Sequence, residues 1–268
     1  MLTGDTRVLT AWAQSLRLPG DKVCFFNFTA SHDGCGLRPV SSLLSEKEIQ
    51  NLVDTVESRG GYVSYRATEE GGKSPYELNA SYIDIVSDPS EENHIRAKKM
   101  LLTQAVALAM PGVPGIYFHS LVGSVSDREG VHRTGIYRAI NREKLNFDIL
   151  NSTLAESQSL RAMVFQGYQK LLTVRRQEPL FDPYGRFEFP WIDEGIFAIL
   201  RSSSHIDNLL LALYNFTNKP ILCNISNHIQ SPFGVELILG EVIKSDQVTI
   251  APYTTMWIKS KKEENENH

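Results

Sequence analysis

Asn27-Phe28-Thr29-Ala30-Ser31-His32-Asp33-Gly34-Cys35-Gly36-Leu37-Arg38-Pro39 is the stretch on which the reading of this chain turns. An apolar segment of β type, Val23 to Phe28, ends abruptly in a His-Asp pair followed by glycines. In barrels of alternating strands and helices, side chains at the carboxyl end of a strand point into the catalytic mouth, and glycine lets the next loop turn tightly. An aspartate capping a turn beside an ordinary histidine gives the same dipeptide, so the flanking sequence has to decide.

Four further stretches decide it. They are Pro75-Tyr76-Glu77-Leu78-Asn79-Ala80-Ser81-Tyr82, the long run Gln104 to Ser120 with Pro111-Gly112-Val113-Pro114-Gly115 at its centre, Gly130 to Gly135, and Ile140-Asn141-Arg142-Glu143-Lys144-Leu145. In their order and separations they resemble the α-glucoside-acting enzymes of glycoside hydrolase family thirteen. The similarity is to the sucrose phosphorylase-like branch, which includes sucrose-6-phosphate and glucosylglycerate phosphorylases. The His-Asp segment is then similar to the seventh barrel strand, Gln104 to Ser120 to the seventh helix entering the eighth strand, and Pro75 to Tyr82 to a substrate loop. The resemblance covers nearly the whole chain and weakens after about Pro190. It implies an α/β fold: the carboxyl-terminal part of a TIM (β/α)8 barrel, about strands 7–8 with their helices, then an antiparallel all-β domain.

In such enzymes a carboxylate nucleophile and a glutamic acid general acid/base lie upstream of the His-Asp strand. Only some two dozen residues precede that strand here, and no Gly-x-Arg-x-Asp segment of the nucleophile type occurs. The expectation is a carboxyl-terminal portion that lacks both groups and is inactive alone.

Length agrees with a partial barrel. Domains take roughly 100–200 residues and a full barrel alone about 250, so 268 residues cannot hold a full barrel and a β-domain. The expected division is 1–178 for the barrel part, 179–260 for the β-domain and 261–268 for a disordered charged tail. A net charge of −4 without a basic stripe argues against nucleic acid. No apolar run reaches the roughly 18–20 residues that span a bilayer, and Met1 opens into polar sequence, so no membrane partner is expected and the placement is cytoplasmic. Cys24, Cys35 and Cys223 are odd in number and far apart, which argues against disulfides and a zinc site. No metal or organic cofactor is indicated.

Periodicity fills in the elements. Apolar spacing predicts helices over Thr6–Leu16, from the capping box Ser45-Glu46-Lys47-Glu48 to Gly60-Gly61, over Asn93–Met110 and over Ala155–Arg175. Tyr62–Arg66 reads as a strand, Gly71 to Pro75 as a hairpin turn with no P-loop before it, and Ile116–Ser120 as a barrel strand. Beyond Pro179, short β-rich runs separated by Asn, Pro, Gly and Ser predict the antiparallel domain.

The resemblance assigns roles. Asp33 is the carboxylate that clamps glucosyl hydroxyls and stabilises the oxocarbenium-like transition state, His32 is a neighbouring hydroxyl ligand, and Arg142 closes the far end of the glucosyl pocket. An acceptor loop is expected between Tyr76 and Asp88, with Tyr82 and Asp84 as its candidate ligands beside Glu77 and Asn79. Arg133 and Arg138 are possible phosphate donors or simply solvated loop charges. The expected partners are a small-molecule sugar, sucrose or a related α-glucoside, phosphate, and an upstream fragment of the barrel. The function implied is retaining α-glucosyl transfer to phosphate, giving glucose 1-phosphate; the alternatives are a silent truncated product or subunit and an amylase-type hydrolase fragment. Trp191 and Trp257 read as core or interface groups more readily than as a carbohydrate-binding module.

Overall fold

A computed structural model describes residues 1–20, 22–69, 71–229 and 234–260. The chain runs through α1 (Arg7–Ser15), β1 (Phe26–Asn27), β2 (Cys35–Gly36), α2 (Glu46–Ser58), β3 (Tyr62–Ala67), β4 (Lys73–Asn79), α3 (Tyr82–Val86), α4 (Asn93–Ala109) and β5 (Val113–Pro114). It continues through α5 (Phe118–Leu121), α6 (Arg128–Thr134), α7 (Phe147–Ala155), α8 (Leu160–Gln177), β6 (Arg186–Glu188), β7 (Ile196–Ser202) and β8 (Leu210–Asn215). The last elements are β9 (Ile221–Asn224), β10 (Gly234–Glu236), β11 (Glu241–Ile243), β12 (Gln247–Ile250) and β13 (Thr255–Ser260).

Two compact units interleave along the sequence. The first takes 1–27, 102–114 and 169–268, and the second takes 28–101 and 115–168. The division by contact therefore differs from the linear one at residue 178, because α4, β1 and β5 contribute to the unit that holds the β-rich stretch. The tail expected over 261–268 lies outside the described residues.

In the first unit, six antiparallel strands form a sheet in the order β11-β10-β13-β8-β7-β6, and β12 pairs with β9 as a separate ribbon. Alternation along β7 and β8 sends Ile196, Ala198, Leu211 and Leu213 to one face, where they meet Cys223, Ile225, Val248 and Ile250 around the ribbon. The opposite face is also covered, so every residue of β8 is buried. There Trp257 packs against Phe181 with ring centroids 4.8 Å apart and donates to the Tyr214 hydroxyl at 3.0 Å. Trp257 is therefore a core residue, while Trp191 is half exposed.

The parallel pair β1–β5 matches Phe26 with Val113 and Asn27 with Pro114, and it is the barrel-type element of the chain. Gly112 permits it: its φ is +111°, and a Cβ there would sit 2.2 Å from the Phe25 carbonyl oxygen. Arg175 donates to the carbonyls of Leu108 and Gly112, and Arg201 to that of Ala109, so two guanidiniums satisfy the end of α4.

In the second unit, β2, β4 and β3 form a three-stranded antiparallel sheet, and α2 lays Val53 and Val56 against Leu37, Val63 and Leu78. The Ser45 capping box is present: its hydroxyl accepts from the Glu48 N–H while the Glu48 carboxylate accepts from the Ser45 N–H at 2.8 Å. β3 ends at Ala67 and β4 begins at Lys73, so Lys73 to Pro75 already belong to β4.

Two expectations need correction. Ile116–Ser120 is not a strand. The pairing ends at Pro114, and Phe118–Leu121 coils into α5, with the Leu121 N–H bonded to the Tyr117 carbonyl at 3.0 Å. β-branched and aromatic composition misled the reading there, because local turn bonding overrode propensity. The helix expected from Ala155 starts later, at Leu160, where the Ser159 hydroxyl accepts from the Ala162 N–H at 3.0 Å. Among the described residues no helix is long and apolar enough to cross a membrane.

Leu213→Ala, at a fully buried position in β8, is expected to cost about 2–5 kcal/mol, and Ser45→Ala about 1 kcal/mol, both read by urea denaturation. A smaller loss for Leu213 than for Ser45 would contradict the core described here.

Candidate active site

The loop after β1 carries Ser31, His32 and Asp33 and is pinned from two sides. The Asn141 side-chain amide donates to the carbonyls of Ser31 at 2.6 Å and Asp33 at 3.1 Å, and the Tyr117 hydroxyl donates to the Asn141 carbonyl at 2.8 Å. From the other side the Gly34 N–H reaches Glu77 Oε1 at 3.3 Å. Gly34 packs so closely on β4 that a Cβ would lie 2.4 Å from the Leu78 carbonyl oxygen.

Two guanidiniums converge on one oxygen of Asp33. Arg142 Nη2 stands 3.0 Å and Arg138 Nη1 3.1 Å from Asp33 Oδ1. Arg142 also donates through Nε to the His32 carbonyl at 2.7 Å. Arg138 is held in turn by Glu77, with Nε at 2.9 Å from Oε1 and Nη2 at 2.6 Å from Oε2, a two-point fork. The Glu77 hydrogen bond raises the Arg138 pKa, so the guanidinium stays charged.

Exposure separates the roles. The Glu77 side chain is 6% exposed, whereas that of Asp33 is 37% exposed. Asp33 Oδ2 accepts no hydrogen bond from any described residue, so one oxygen of this carboxylate is immobilised and the other is open. The His32 ring is largely exposed, with Nε2 3.6 Å from Asp33 Oδ1. The structure thus brings His32, Asp33 and Arg142 together.

Tyr82 and Asp84 do not join this cluster. Asp84 is buried, accepting from Arg96 through Oδ1 and from the Ser126 N–H through Oδ2 at 2.8 Å. Arg133 lies 3.6 Å from Asp127 and takes no part in it either. The sequence reading did not put three contributors in this cluster: Arg138, read there as a possible phosphate donor or a solvated loop charge, Glu77, read as an acceptor-loop residue, and Asn141. A signal existed for Glu77. Leu78 faces the apolar cluster, so alternation puts Glu77 and Asn79 on the opposite face of β4, and a polar face on a buried strand marks a site.

Cys35 adjoins the cluster, but burial and the Glu77 charge push its thiol up to about 11. It stays protonated near neutrality and does not act as a nucleophile. Farther along, His119 Nδ1 meets the Ser124 hydroxyl at 2.9 Å, and Arg161 links Ser124 to Glu143.

No family model matches the sequence. Glucosylglycerate phosphorylase of Spirochaeta thermophila is 39% identical over 94% of this chain and 42% of its own length. The protein of that name in Escherichia coli is 36% identical over 95% of this chain and 45% of its own length. The crystal structure of sucrose 6F-phosphate phosphorylase from Thermoanaerobacter thermosaccharolyticum aligns with a TM-score of 0.65 at 20% identity, covering 80% of this chain and 40% of that one. The chain spans less than half the length of the curated relatives it matches.

Gly34→Ala forces β4 or the site loop to move and is expected to cost about 1–3 kcal/mol; an unchanged melting temperature would contradict the close approach. Burial holds the His119 and His228 imidazoles below the ordinary histidine range. The unfolded chain therefore binds these protons first, so their contribution is full above about pH 6.5 and drains as pH falls through the lowered values. The melting temperature is expected to drop from pH 6.5 toward 5, and less steeply in a His119→Asn/His228→Asn variant; identical slopes would contradict it.

Proposed function

The chain belongs to the sucrose phosphorylase-like branch of glycoside hydrolase family thirteen, and we propose that it supplies the glucosyl-holding part of an α-glucosyl phosphorylase. The reaction is retaining. A carboxylate nucleophile displaces the aglycone as a general acid protonates the leaving oxygen. A phosphate oxygen then attacks the anomeric carbon and releases the carboxylate, giving glucose 1-phosphate. On this reading nucleophile and acid/base come from a part of the barrel that these residues do not include. Within this reading Asp33 Oδ2 accepts hydrogen bonds from ring hydroxyls, His32 adds a further hydroxyl contact, and Arg142 bounds the pocket while fixing Asp33.

One observation carries the reading: an accessible carboxylate with one oxygen immobilised by two guanidiniums and the other open. Hydrogen bonds to hydroxyls that strengthen as the ring flattens stabilise the transition state more than the ground state, which is what raises a rate. The names of the two relatives most relevant here point to glycerate as the aglycone, and sucrose is the second donor to try. The three free cysteines fit a reducing, cytoplasmic setting.

Assays of the chain with glucosylglycerate and phosphate test this. No glucose 1-phosphate is expected from the chain alone. Mixing it with a polypeptide that supplies the rest of the barrel is expected to release glucose 1-phosphate, and Asp33→Asn to abolish that release. Turnover by the chain alone would overturn the need for a partner. Free glucose without glucose 1-phosphate would replace phosphorolysis with hydrolysis.

A further inference from the structure

The second unit holds a cleft of about 450 Å³ that the glucosyl cluster does not use. Its floor is the buried Asp84–Arg96 pair, and its walls include Val125, Asp127, Arg128, Glu129 and Glu143. Such a volume lies within the usual range for small-ligand sites, about 300–1,000 Å³.

Arg96 gives the cleft its directed donor. Only 6% of the residue is exposed, its Nη2 bonds Asp84 and its Nε reaches the Ser87 hydroxyl at 3.3 Å. Nη1 has no hydrogen-bond partner among the described residues. A guanidinium fixed by two partners with its remaining N–H pair open to a cleft is a preformed donor. Acceptors line the same cleft: Glu129 makes no ion pair with any described cation, Glu143 uses one oxygen for Arg161, and Asp127 caps α6 through Oδ1.

Charge settles the ligand class. Arg96 neutralises Asp84, Arg161 neutralises Glu143 and Arg133 stands 3.6 Å from Asp127. Arg128 and Glu129 add one charge of each sign without pairing, so the four carboxylates and four guanidiniums at the cleft and behind it sum to zero. A charge-balanced cleft attracts neither phosphate nor a polyamine, yet it alternates guanidinium donors with carboxylate acceptors. Hydroxyls are the groups that both donate and accept, so each would be satisfied from both sides. Val125 and Pro89 add a small apolar surface for C–H groups. We propose that this cleft binds a neutral polyhydroxylated ligand, a sugar or polyol, separately from the Asp33 cluster. The inference does not rest on the phosphorolytic reading.

Amide NMR of the full chain tests it, with glucose, glycerol, inorganic phosphate and spermidine each titrated in turn. Glucose or glycerol is expected to shift the amides of 125–130 with saturation. Val125→Trp, which fills the cleft, is expected to abolish those shifts, and Glu129→Gln to weaken binding about tenfold, the effect of losing one hydrogen bond to a charged group. Asp33→Asn is expected to leave them intact. Shifts confined to 31–38 and 138–142, shifts that survive Val125→Trp, or saturation by phosphate or spermidine but by neither polyol would each overturn the proposal. An unchanged spectrum for the rest of Val125→Trp shows that the variant is folded.

Discussion

The site is organised by one electrostatic constraint: a single oxygen of Asp33 is shared by Arg138 and Arg142 while Glu77 holds Arg138 in place. Two cations on one carboxylate would leave surplus positive charge. The buried Glu77 supplies the balancing carboxylate, and the four groups together are neutral. These bonds fix the orientation of Asp33 Oδ2, and on the proposed function they do so before any sugar arrives. Catalytic groups that need no reorganisation during the reaction stabilise a transition state most effectively.

The fold supplies the constraint through short-range devices. β4 contributes Leu78 to an apolar cluster and Glu77 to the opposite face, so the strand that anchors the unit also anchors the site. Gly34 allows the site loop to lie against that strand, and Asn141 ties the same loop to the segment that carries both arginines. The order in the sequence is therefore unimportant to the geometry: residues 33, 77, 138 and 142 meet because three separate segments share hydrogen bonds within one compact unit.

Much of this was legible in the sequence, for identifiable reasons. The Ser45 capping box, the helix ending before Pro111 and the alternating strands beyond Ile196 are local signals, and each sits where chemistry within a few residues put it. His32, Asp33 and Arg142 were singled out through likeness to a family, and they lie together in the structure. Arg138 was not, because an arginine in a loop has no local signature until a buried carboxylate faces it. Asp84 misled for the converse reason: an acidic residue in a presumed substrate loop looks available, but Arg96 from the next helix and the Ser126 backbone occupy both its oxygens. Ile116–Ser120 has strand composition and lacks a strand partner, which composition cannot report.

The organising claim is that Glu77 acts on sugar binding indirectly, by holding Arg138 against Asp33 and the Gly34 N–H of the Asp33 loop. The most direct measurement is glucose affinity of the full chain and its Glu77→Gln variant, by titration at the Asp33 loop amides, with thermal melting alongside. Weakening by about tenfold with a melting temperature near that of the parent is the expected result. Equal affinity in the two proteins would contradict it.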